Sequence, residues 1–151
     1  MKLDMEAVEE AAKHLYIQAL KILPPDIKEG FKRLDATETD PTAKSILATM
    51  IQNIEVAEDT TNLLCQDTGI PIYNLEIGSG IDFDGYKLKE AIRKGCERAT
   101  TEHPLRSSVV HPITRVNEQT SCGIRVPVIN IDFTDKDEVF EMEMIPKGSG
   151  S

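Results

Sequence analysis

The sequence predicts an α+β fold in which N-terminal helices pack on a small mixed or antiparallel sheet with one further helix. Three observations support this prediction. Apolar residues recur at steps of three and four over the first 64 residues, which is the helical period. Around residues 73–77 and 140–144 they alternate singly, which is the period of a strand. A further segment with helical spacing lies between these two, at residues 85–102.

Length, charge and cysteine content limit the class of protein. A chain of 151 residues with 40% hydrophobic content is expected to form one domain with its own core. Its net charge of −9 repels phosphate backbones, so we expect no nucleic-acid partner. The N-terminus lacks an apolar signal segment and no run approaches the ~18 apolar residues of a membrane span, so we expect a cytoplasmic protein without a membrane partner. Three cysteines, an odd number, disfavour a disulfide scaffold and leave metal or thiol chemistry open.

Three helices are predicted in the N-terminal third. The first covers residues 4–22 and stops at Pro24-Pro25, where Pro25 suits the first position of a short second helix. Asp40 as N-cap and Pro41 begin a third helix over residues 41–64. The predicted inward positions are Met5, Val8, Ala12, Leu15, Ala19 and Ile22 on the first helix, and Ala43, Ile46, Leu47, Met50, Ile51, Ile54 and Ala57 on the third.

Three strands are predicted in the remainder. Tyr73, Leu75 and Ile77 alternate with polar residues, and Gly78-Ser-Gly80 ends that strand. This Gly-x-Gly is a weak phosphate-loop signal because no third glycine or Lys-Ser/Thr follows. Residues 124–133 and 140–147 are β-rich and are joined by a turn at 134–137, so we expect them to form a hairpin.

The fourth predicted helix, over residues 85–102, begins after Asp84 as N-cap. Its apolar stripe places Cys96 among core positions, where a cysteine behaves as a small hydrophobe. Cys96 is therefore interpreted as structural. The stripe comprises Leu88, Ile92, Cys96 and Ala99.

The segment Cys65-Gln-Asp-Thr-Gly69 concentrates polar chemistry where the long helix gives way to the first strand. It offers a thiol as soft metal ligand or nucleophile, an amide, a carboxylate for acid–base work, and a hydroxyl. The alternative is a capping turn with a buried cysteine and an aspartate that bonds its own backbone. On residue chemistry alone, the capping turn is the favoured interpretation.

Five of the six arginines fall between Arg93 and Arg125 in a chain that is otherwise acidic. For Arg93 and Arg98, on a helix, we expect surface ion pairs. Arg106 and Arg115 lie in turn-like sequence, where a guanidinium fork suits the carboxylate of a small anionic ligand. Zinc is disfavoured because the histidines and cysteines lack the spacing of a zinc site.

The chain ends in Pro146-Lys-Gly-Ser-Gly-Ser151. Lys147 and the glycines Gly148 and Gly150 are expected at one end of the sheet, where backbone N–H groups and a charge favour an oxyanion. Three explanations stay open: a flexible tail, a cloning remnant, or a loop of a longer polypeptide.

Taken together, Cys65-Gln-Asp-Thr-Gly69, Leu105-Arg-Ser-Ser108 and Pro146-Lys-Gly-Ser-Gly-Ser151, in this order, resemble the alpha-subunit domain of the iron–sulfur hydro-lyases, namely class I fumarate hydratases and L-tartrate dehydratases. The resemblance covers nearly the whole chain. It implies that residues 1–151 are the N-terminal part of such a subunit, ending at the Gly/Ser-rich loop. For Cys65 it favours a functional role over a capping turn.

The resemblance also implies roles for individual residues. Cys65 resembles the first of three cysteine ligands to a [4Fe-4S] cluster, with the other two expected outside this chain. Gln66 and Asp67 resemble residues that contact a dicarboxylate, with Asp67 sharing in proton transfer. Arg106 resembles the carboxylate-binding arginine, and Gly148 a backbone contact to the substrate. A beta subunit or C-terminal domain is expected to supply the catalytic base, within an oligomer.

The expected activity is reversible hydration of a four-carbon dicarboxylate such as fumarate, which gives malate. This fragment alone is expected to be inactive, since one thiolate cannot hold a cluster of four irons. The stretch from Arg115 to Gly123 departs from the family pattern, which weakens a role for Arg115. Alternatives are an L-tartrate dehydratase alpha subunit, a non-catalytic anion-binding or regulatory domain, and a thiol redox protein built on Cys65.

Overall fold

The computed structural model describes residues 1–64 and 69–148. Over these residues the chain forms four helices and three strands. Their order is α1 (Met5–Lys21), α2 (Pro25–Thr37), α3 (Pro41–Asp59), β1 (Ile70–Gly78), α4 (Gly85–Glu102), β2 (Val128–Thr134) and β3 (Phe140–Lys147). The predicted α+β class is confirmed.

The chain divides into two compact units. The first combines Met1–Ala19 with Gln66–Ser151 and contains the sheet, α4 and most of α1. The second, Leu20–Cys65, contains α2 and α3. The expectation of one domain over 1–151 stays a prediction. Across the described ranges, none of the helices combines the length and apolar character needed to cross a membrane.

The sheet is mixed, with strand order β2-β1-β3. β1 runs parallel to β2, with Ile72 opposite Val128, and antiparallel to β3, with Ile70 opposite Lys147. The predicted hairpin of the last two strands is wrong, because β1 lies between them. As the alternation predicted, the apolar positions of β1 are buried, and they are Tyr73, Leu75 and Ile77.

The turn between β2 and β3 crosses over the end of β1, which explains the Gly-x-Gly found there. The N–H of Gly78 donates to the carbonyl of Val139 at 2.8 Å, and that of Gly80 to the carbonyl of Asp137 at 2.9 Å. A Cβ at Gly78 would collide with the carbonyl oxygen of Lys136, and one at Gly80 would lie 2.7 Å from that of Asp137. Side chains at these two positions would block the crossing.

In the first unit, α1 and α4 are held close to each other and to the sheet. The hydroxyl of Tyr73 on β1 donates to the carbonyl of Ala12 on α1 at 3.0 Å. Gly95 on α4 faces the backbone of Glu9 so closely that a Cβ there would collide with its carbonyl oxygen. The predicted stripe of α4, including Cys96, is buried as expected.

The buried face of α1 differs in part from the predicted one. Val8 and Ala12 are buried as expected, but the stripe continues through Tyr16, while Ala19 is exposed. Steps of four keep these three positions on one face. Tyr16 was missing from the predicted stripe because its hydroxyl obscures how apolar its ring is.

The predicted helix starts are confirmed by their caps. The Asp40 carboxylate accepts a hydrogen bond from the N–H of Ala43 at 2.9 Å, and the Asp84 carboxylate accepts from Tyr86 and Lys87. The predicted end of α3 at residue 64 is wrong. Both the N–H and the hydroxyl of Thr60 donate to the carbonyl of Val56, which closes the last turn five residues earlier.

The second unit joins α2 and α3 through an ion pair between Lys28 and Glu58, at 2.5 Å. Ile54 and Ala57 on α3 are buried as predicted. The N-terminal half of the predicted stripe is not, since Ile46 is 57% exposed and Met50 43% exposed. Helical period alone does not distinguish a buried apolar face from an exposed one.

Candidate functional site

A cavity of about 630 Å³ opens in the first unit at the end of the sheet where β1 begins and β3 ends. We call it the Arg106 cavity. It has the size of a small-molecule site, since such pockets span roughly 300–1,000 Å³. It is lined by Gly69, Ile70, Arg106, Ser107, Ser108, Val110, Asn117, Gln119, Lys147 and Gly148.

The structure brings two of the five sequence-predicted site residues together in this cavity, Arg106 and Gly148. The other three, Cys65, Gln66 and Asp67, lie outside the described residues, and their roles stay predictions. Gly69, the last residue of the same motif, does line the cavity.

Gly69 and Lys147 form the floor where β1 and β3 meet. Gly69 has a backbone φ of +66°, which favours glycine. A Cβ at this position would lie 2.7 Å from the carbonyl carbon of Lys147, well inside van der Waals contact. Since Ile70 pairs with Lys147 in the ladder, this approach fixes where Lys147 and Gly148 enter the cavity.

Two hydrogen bonds to the neighbouring residue hold the segment that carries Arg106. The residue after it, Ser107, is buried. Its hydroxyl accepts from the N–H of Ser121 at 3.0 Å, and its carbonyl accepts from the Asn117 side-chain amide at 2.8 Å. The backbone next to Arg106 is therefore fixed by two loop residues distant in sequence.

The charge of the Arg106 cavity is opposite to that of the whole chain. Arg106 and Lys147 are cationic, and none of the described residues that line the cavity is acidic, whereas the chain carries −9. Guanidinium and ammonium groups form their strongest hydrogen bonds with carboxylates and phosphates. The arrangement suits a small anion with more than one charged group.

Asn117 and Gln119 line the cavity and were not predicted from sequence. Both lie in the stretch where the sequence departs from the expected family pattern. Amides in turn-like sequence beside a cationic segment are the signal that points to them.

Three other arginines lie outside the Arg106 cavity. Arg115 does not line the Arg106 cavity, and its N–H donates to the carbonyl of His111 at 2.9 Å. Arg98 forms the expected ion pairs, with Glu9, Glu10 and Glu102. Arg93 forms hydrogen bonds with backbone in place of the expected surface ion pair. Its guanidinium donates to the carbonyls of Gly123 and Val126.

Cys96 and Cys122 are interior residues. The Cys96 thiol donates to the carbonyl of Ser121 at 3.8 Å, and the Cys122 thiol donates to the carbonyl of Arg93 at 3.6 Å. The neighbouring Cys122 thiol, together with burial, raises the pKa of the Cys96 thiol. Cys96 is therefore a protonated core residue, as its position on α4 predicted.

Iron–sulfur clusters are held by cysteine thiolates, whereas these two buried thiols are bonded to backbone carbonyl oxygens and do not fit that ligand set. Over residues 1–64 and 69–148, no three His, Cys, Asp or Glu side chains come together in a way that could hold a metal ion. Cys65 lies outside the described residues, so its role as a ligand stays a prediction.

Comparison with known families gives the chain a family. Residues 9–151 match the family described as fumarate hydratase (Fumerase). A Methanocaldococcus jannaschii protein with the provisional name L(+)-tartrate dehydratase subunit alpha is 39% identical over 146 residues, which cover 95% of this chain and 51% of that protein.

Two further relatives carry the same two kinds of name. A Geobacillus stearothermophilus protein with the provisional name fumarate hydratase class I is 29% identical over 147 residues, covering 97% of this chain and 28% of the relative. The L(+)-tartrate dehydratase subunit alpha of Escherichia coli K12 is 30% identical over 128 residues, which cover 85% of this chain and 42% of that protein. The chain thus spans about half or less of the length of these relatives. Since the family match extends over nearly all of its residues, the chain belongs to the fumarate hydratase family.

Proposed function

We propose that this chain is part of a [4Fe-4S]-dependent hydro-lyase that adds water to, or removes it from, a four-carbon dicarboxylate, with fumarate and malate as the reacting pair. The observation that carries the proposal is the Arg106 cavity, which presents Arg106 and Lys147 and has no acid among its described lining residues. Such a cavity suits a dianion. The membership of the chain in the fumarate hydratase family supports a dicarboxylate as that dianion.

The first task of the cavity is to bind and orient the diacid. The Arg106 guanidinium forms a two-point contact with one carboxylate, and Lys147 supplies a second positive charge. The backbone at Gly148 approaches the substrate closely because glycine has no side chain. Fixing both ends of a short diacid sets the orientation of its two central carbons, which lowers the entropic cost of reaction.

The second task is proton transfer. Dehydration breaks a C–O bond on one central carbon and a C–H bond on the other, and hydration reverses both. Asp67 shares the proton transfer with a base from a beta subunit or C-terminal domain, and Gln66 contacts the diacid. This assignment rests on the resemblance, and the names of two relatives, which call them alpha subunits, support a partner chain.

Cys65 is the residue proposed to ligate the [4Fe-4S] cluster. The resemblance implies that the other two ligands lie outside residues 1–151. Cys96 and Cys122 are buried and bonded to carbonyl oxygens, which agrees with a structural role for both. When bound, such a cluster supplies a Lewis acid that activates the hydroxyl group that is lost or added.

The second candidate substrate is L-tartrate. Two relatives, including the one that is 39% identical, are named as tartrate dehydratase alpha subunits. Tartrate is also a four-carbon diacid, with one more hydroxyl than malate, so the cationic residues serve it equally well.

The experiment that tests the proposal uses the complete alpha polypeptide with its partner subunit, reconstituted with iron and sulfide without oxygen. We expect broad visible absorption from the cluster and turnover of fumarate or L-tartrate. Cys65→Ser should abolish both the absorption and the turnover. The matched control is Cys96→Ala, which should leave both in place. A complex that binds diacid but shows neither absorption nor turnover would instead be a non-catalytic anion-binding domain, and the proposal would be wrong.

A further inference from the structure

Gln119 has an unfavourable backbone conformation at the wall of the Arg106 cavity. Its φ is +60°, in the left-handed region that only a few per cent of non-glycine residues adopt. Asparagine, aspartate and histidine are the side chains most often tolerated there, and glutamine is not among them. Residues held in this way concentrate at functional sites. A glycine at position 119 would relieve the strain but would remove the side-chain amide of a residue that lines the cavity.

One neighbouring side chain, Asn117, fixes this conformation. Its side-chain oxygen accepts a hydrogen bond from the N–H of Gln119 at 2.9 Å. Its side-chain nitrogen donates to the carbonyl of Ser107 at 2.8 Å. Asn117 thus connects the backbone beside Arg106 to the backbone of Gln119, and both ends of this connection line the cavity.

The chemistry of Gln119 differs from that of the cationic residues around it. Arg106 and Lys147 can only donate hydrogen bonds, whereas an amide side chain both donates and accepts. A carboxylate needs donors alone, but a hydroxyl group needs a donor and an acceptor. The amide of Asn117 already uses both functions in the two bonds just described. Gln119 therefore suits a substrate hydroxyl better than a carboxylate.

We propose that Gln119 is a specificity-determining residue whose amide hydrogen-bonds the hydroxyl of a hydroxylated four-carbon diacid, and that Asn117 is the positioning residue that holds it. The inference rests on the proposed function and assumes the same substrate class, a four-carbon diacid. It adds the selection of diacids by their hydroxyl group through a protein side chain, since Arg106 and Lys147 can donate to a hydroxyl but cannot accept from it.

The test is a binding measurement, so that it does not depend on turnover. Titration calorimetry on the complete alpha polypeptide with its partner subunit, prepared without the cluster so that malate is not converted, gives the Kd of malate and of succinate, which lacks the hydroxyl. In Gln119→Gly and in Gln119→Met, we expect the preference for malate over succinate to fall about tenfold, which is the effect of one lost hydrogen bond. The affinity for succinate should change little, because its carboxylates keep Arg106 and Lys147.

Thermal unfolding separates this role from a structural one. Gln119→Gly should keep or raise the Tm, because glycine relieves the left-handed strain. Arg125→Gly is the matched control, since Arg125 has a φ of +59° but does not line the cavity. It should also keep the Tm, and it should leave the preference for malate unchanged.

Asn117 is tested through its dependence on Gln119. Asn117→Ala should lower the preference for malate in the wild-type background and have no further effect on it in Gln119→Gly. Asn117→Asp keeps the acceptor for the N–H of Gln119 but loses the donor to the Ser107 carbonyl, and it adds a negative charge beside a site for a dianion, so it should weaken the binding of both diacids. A preference that is unchanged in both Gln119 variants would overturn the inference. A wild-type complex that binds malate but turns over no diacid would contradict the proposed function and leave this measurement intact.

Discussion

The backbone of Lys147 passes so close to Gly69 that no side chain fits between them, since a Cβ at Gly69 would lie 2.7 Å from the carbonyl carbon of Lys147. We expect Gly69→Ala to displace the strand end that carries Lys147 and Gly148. The left-handed φ of +66° adds about 1–2 kcal/mol of strain for any other residue. The free energy of unfolding should therefore fall by about 2 kcal/mol or more, and substrate affinity in the complete enzyme should fall with it.

Urea denaturation and a diacid titration check this prediction. Gly85→Ala is the matched control, because nothing lies within 4 Å of a Cβ at Gly85. It should leave substrate affinity unchanged and keep or slightly raise the free energy of unfolding, because Gly85 begins α4. Equal stability of the two alanine variants would contradict the close approach.

Removal of the Arg106 guanidinium should weaken substrate binding. Hydrogen bonds to charged groups contribute about 1.5–3 kcal/mol, so Arg106→Ala should lower kcat/KM of the complete enzyme roughly 10- to 100-fold. Arg106→Lys keeps the charge but loses the planar fork, so its kcat/KM should lie between those of the wild type and Arg106→Ala. Arg98→Ala is the control, because Arg98 is engaged in ion pairs with Glu9, Glu10 and Glu102. If kcat/KM is unchanged in Arg106→Ala, Arg106 does not bind substrate.

The contact between α1 and α4 should be sensitive to a single methyl group. A Cβ at Gly95 would collide with the carbonyl oxygen of Glu9 and lie 2.8 Å from the Cβ of Ala12. We expect Gly95→Ala to cost about 1–3 kcal/mol of the free energy of unfolding. Gly30→Ala, also within a helix but with nothing within 4 Å, should instead gain about 0.5–1 kcal/mol. A stabilising Gly95→Ala would show that the two helices are further apart than described.

The same pair of helices should respond to acid. Hydrogen bonds from Lys13 and Arg98 lower the pKa of Glu102 from 4.5 to about 2. Because the folded pKa lies below the unfolded one, the stabilisation is complete above about pH 4.5 and is lost as the pH falls towards 2. Lys13→Met removes the first of these partners. Its free energy of unfolding should therefore be lower than that of the wild type at neutral pH, and the difference should shrink as the pH falls from about 4.5 towards 2.

Free energies of unfolding measured in urea at several pH values give that deficit directly. Lys94→Met is the control, since Lys94 lies on the exposed side of α4. Its difference from wild type should not vary in this acid range. A Lys13→Met deficit that is constant with pH would exclude the proposed stabilisation of the Glu102 carboxylate.

The parts of the fold that could be predicted from sequence are those that depend on near neighbours in the chain. Asp40 and Asp84 cap α3 and α4 as expected, because a cap involves residues within one turn. The pairing of β2 and β3 with β1 was not predicted, because a short turn usually joins adjacent strands and this one crosses over Gly78 and Gly80.

The site shows the same division. Arg106 and Gly148 could be proposed from motifs that each lie in a few consecutive residues. Asn117 and Gln119 were not proposed, because amides in turn-like sequence are a weak signal and the place of both residues in the cavity depends on a hydrogen bond from Asn117 to Ser107, ten residues away in sequence. From sequence alone, the segment that contains Asn117 and Gln119 is an ordinary polar loop. It lines the cavity only because of that tertiary contact.

The central position of β1 has a consequence for how the sheet is assembled during folding. Its two partners come much later in the chain, and in the folded sheet they pair with β1 and not with each other. β1 must therefore wait with both edges unpaired until β2 and then β3 have been synthesised, and an unpaired edge invites association with other chains. Until Phe140–Lys147 is in place, the apolar residues of β1 depend on the two packed helices of the first unit for protection.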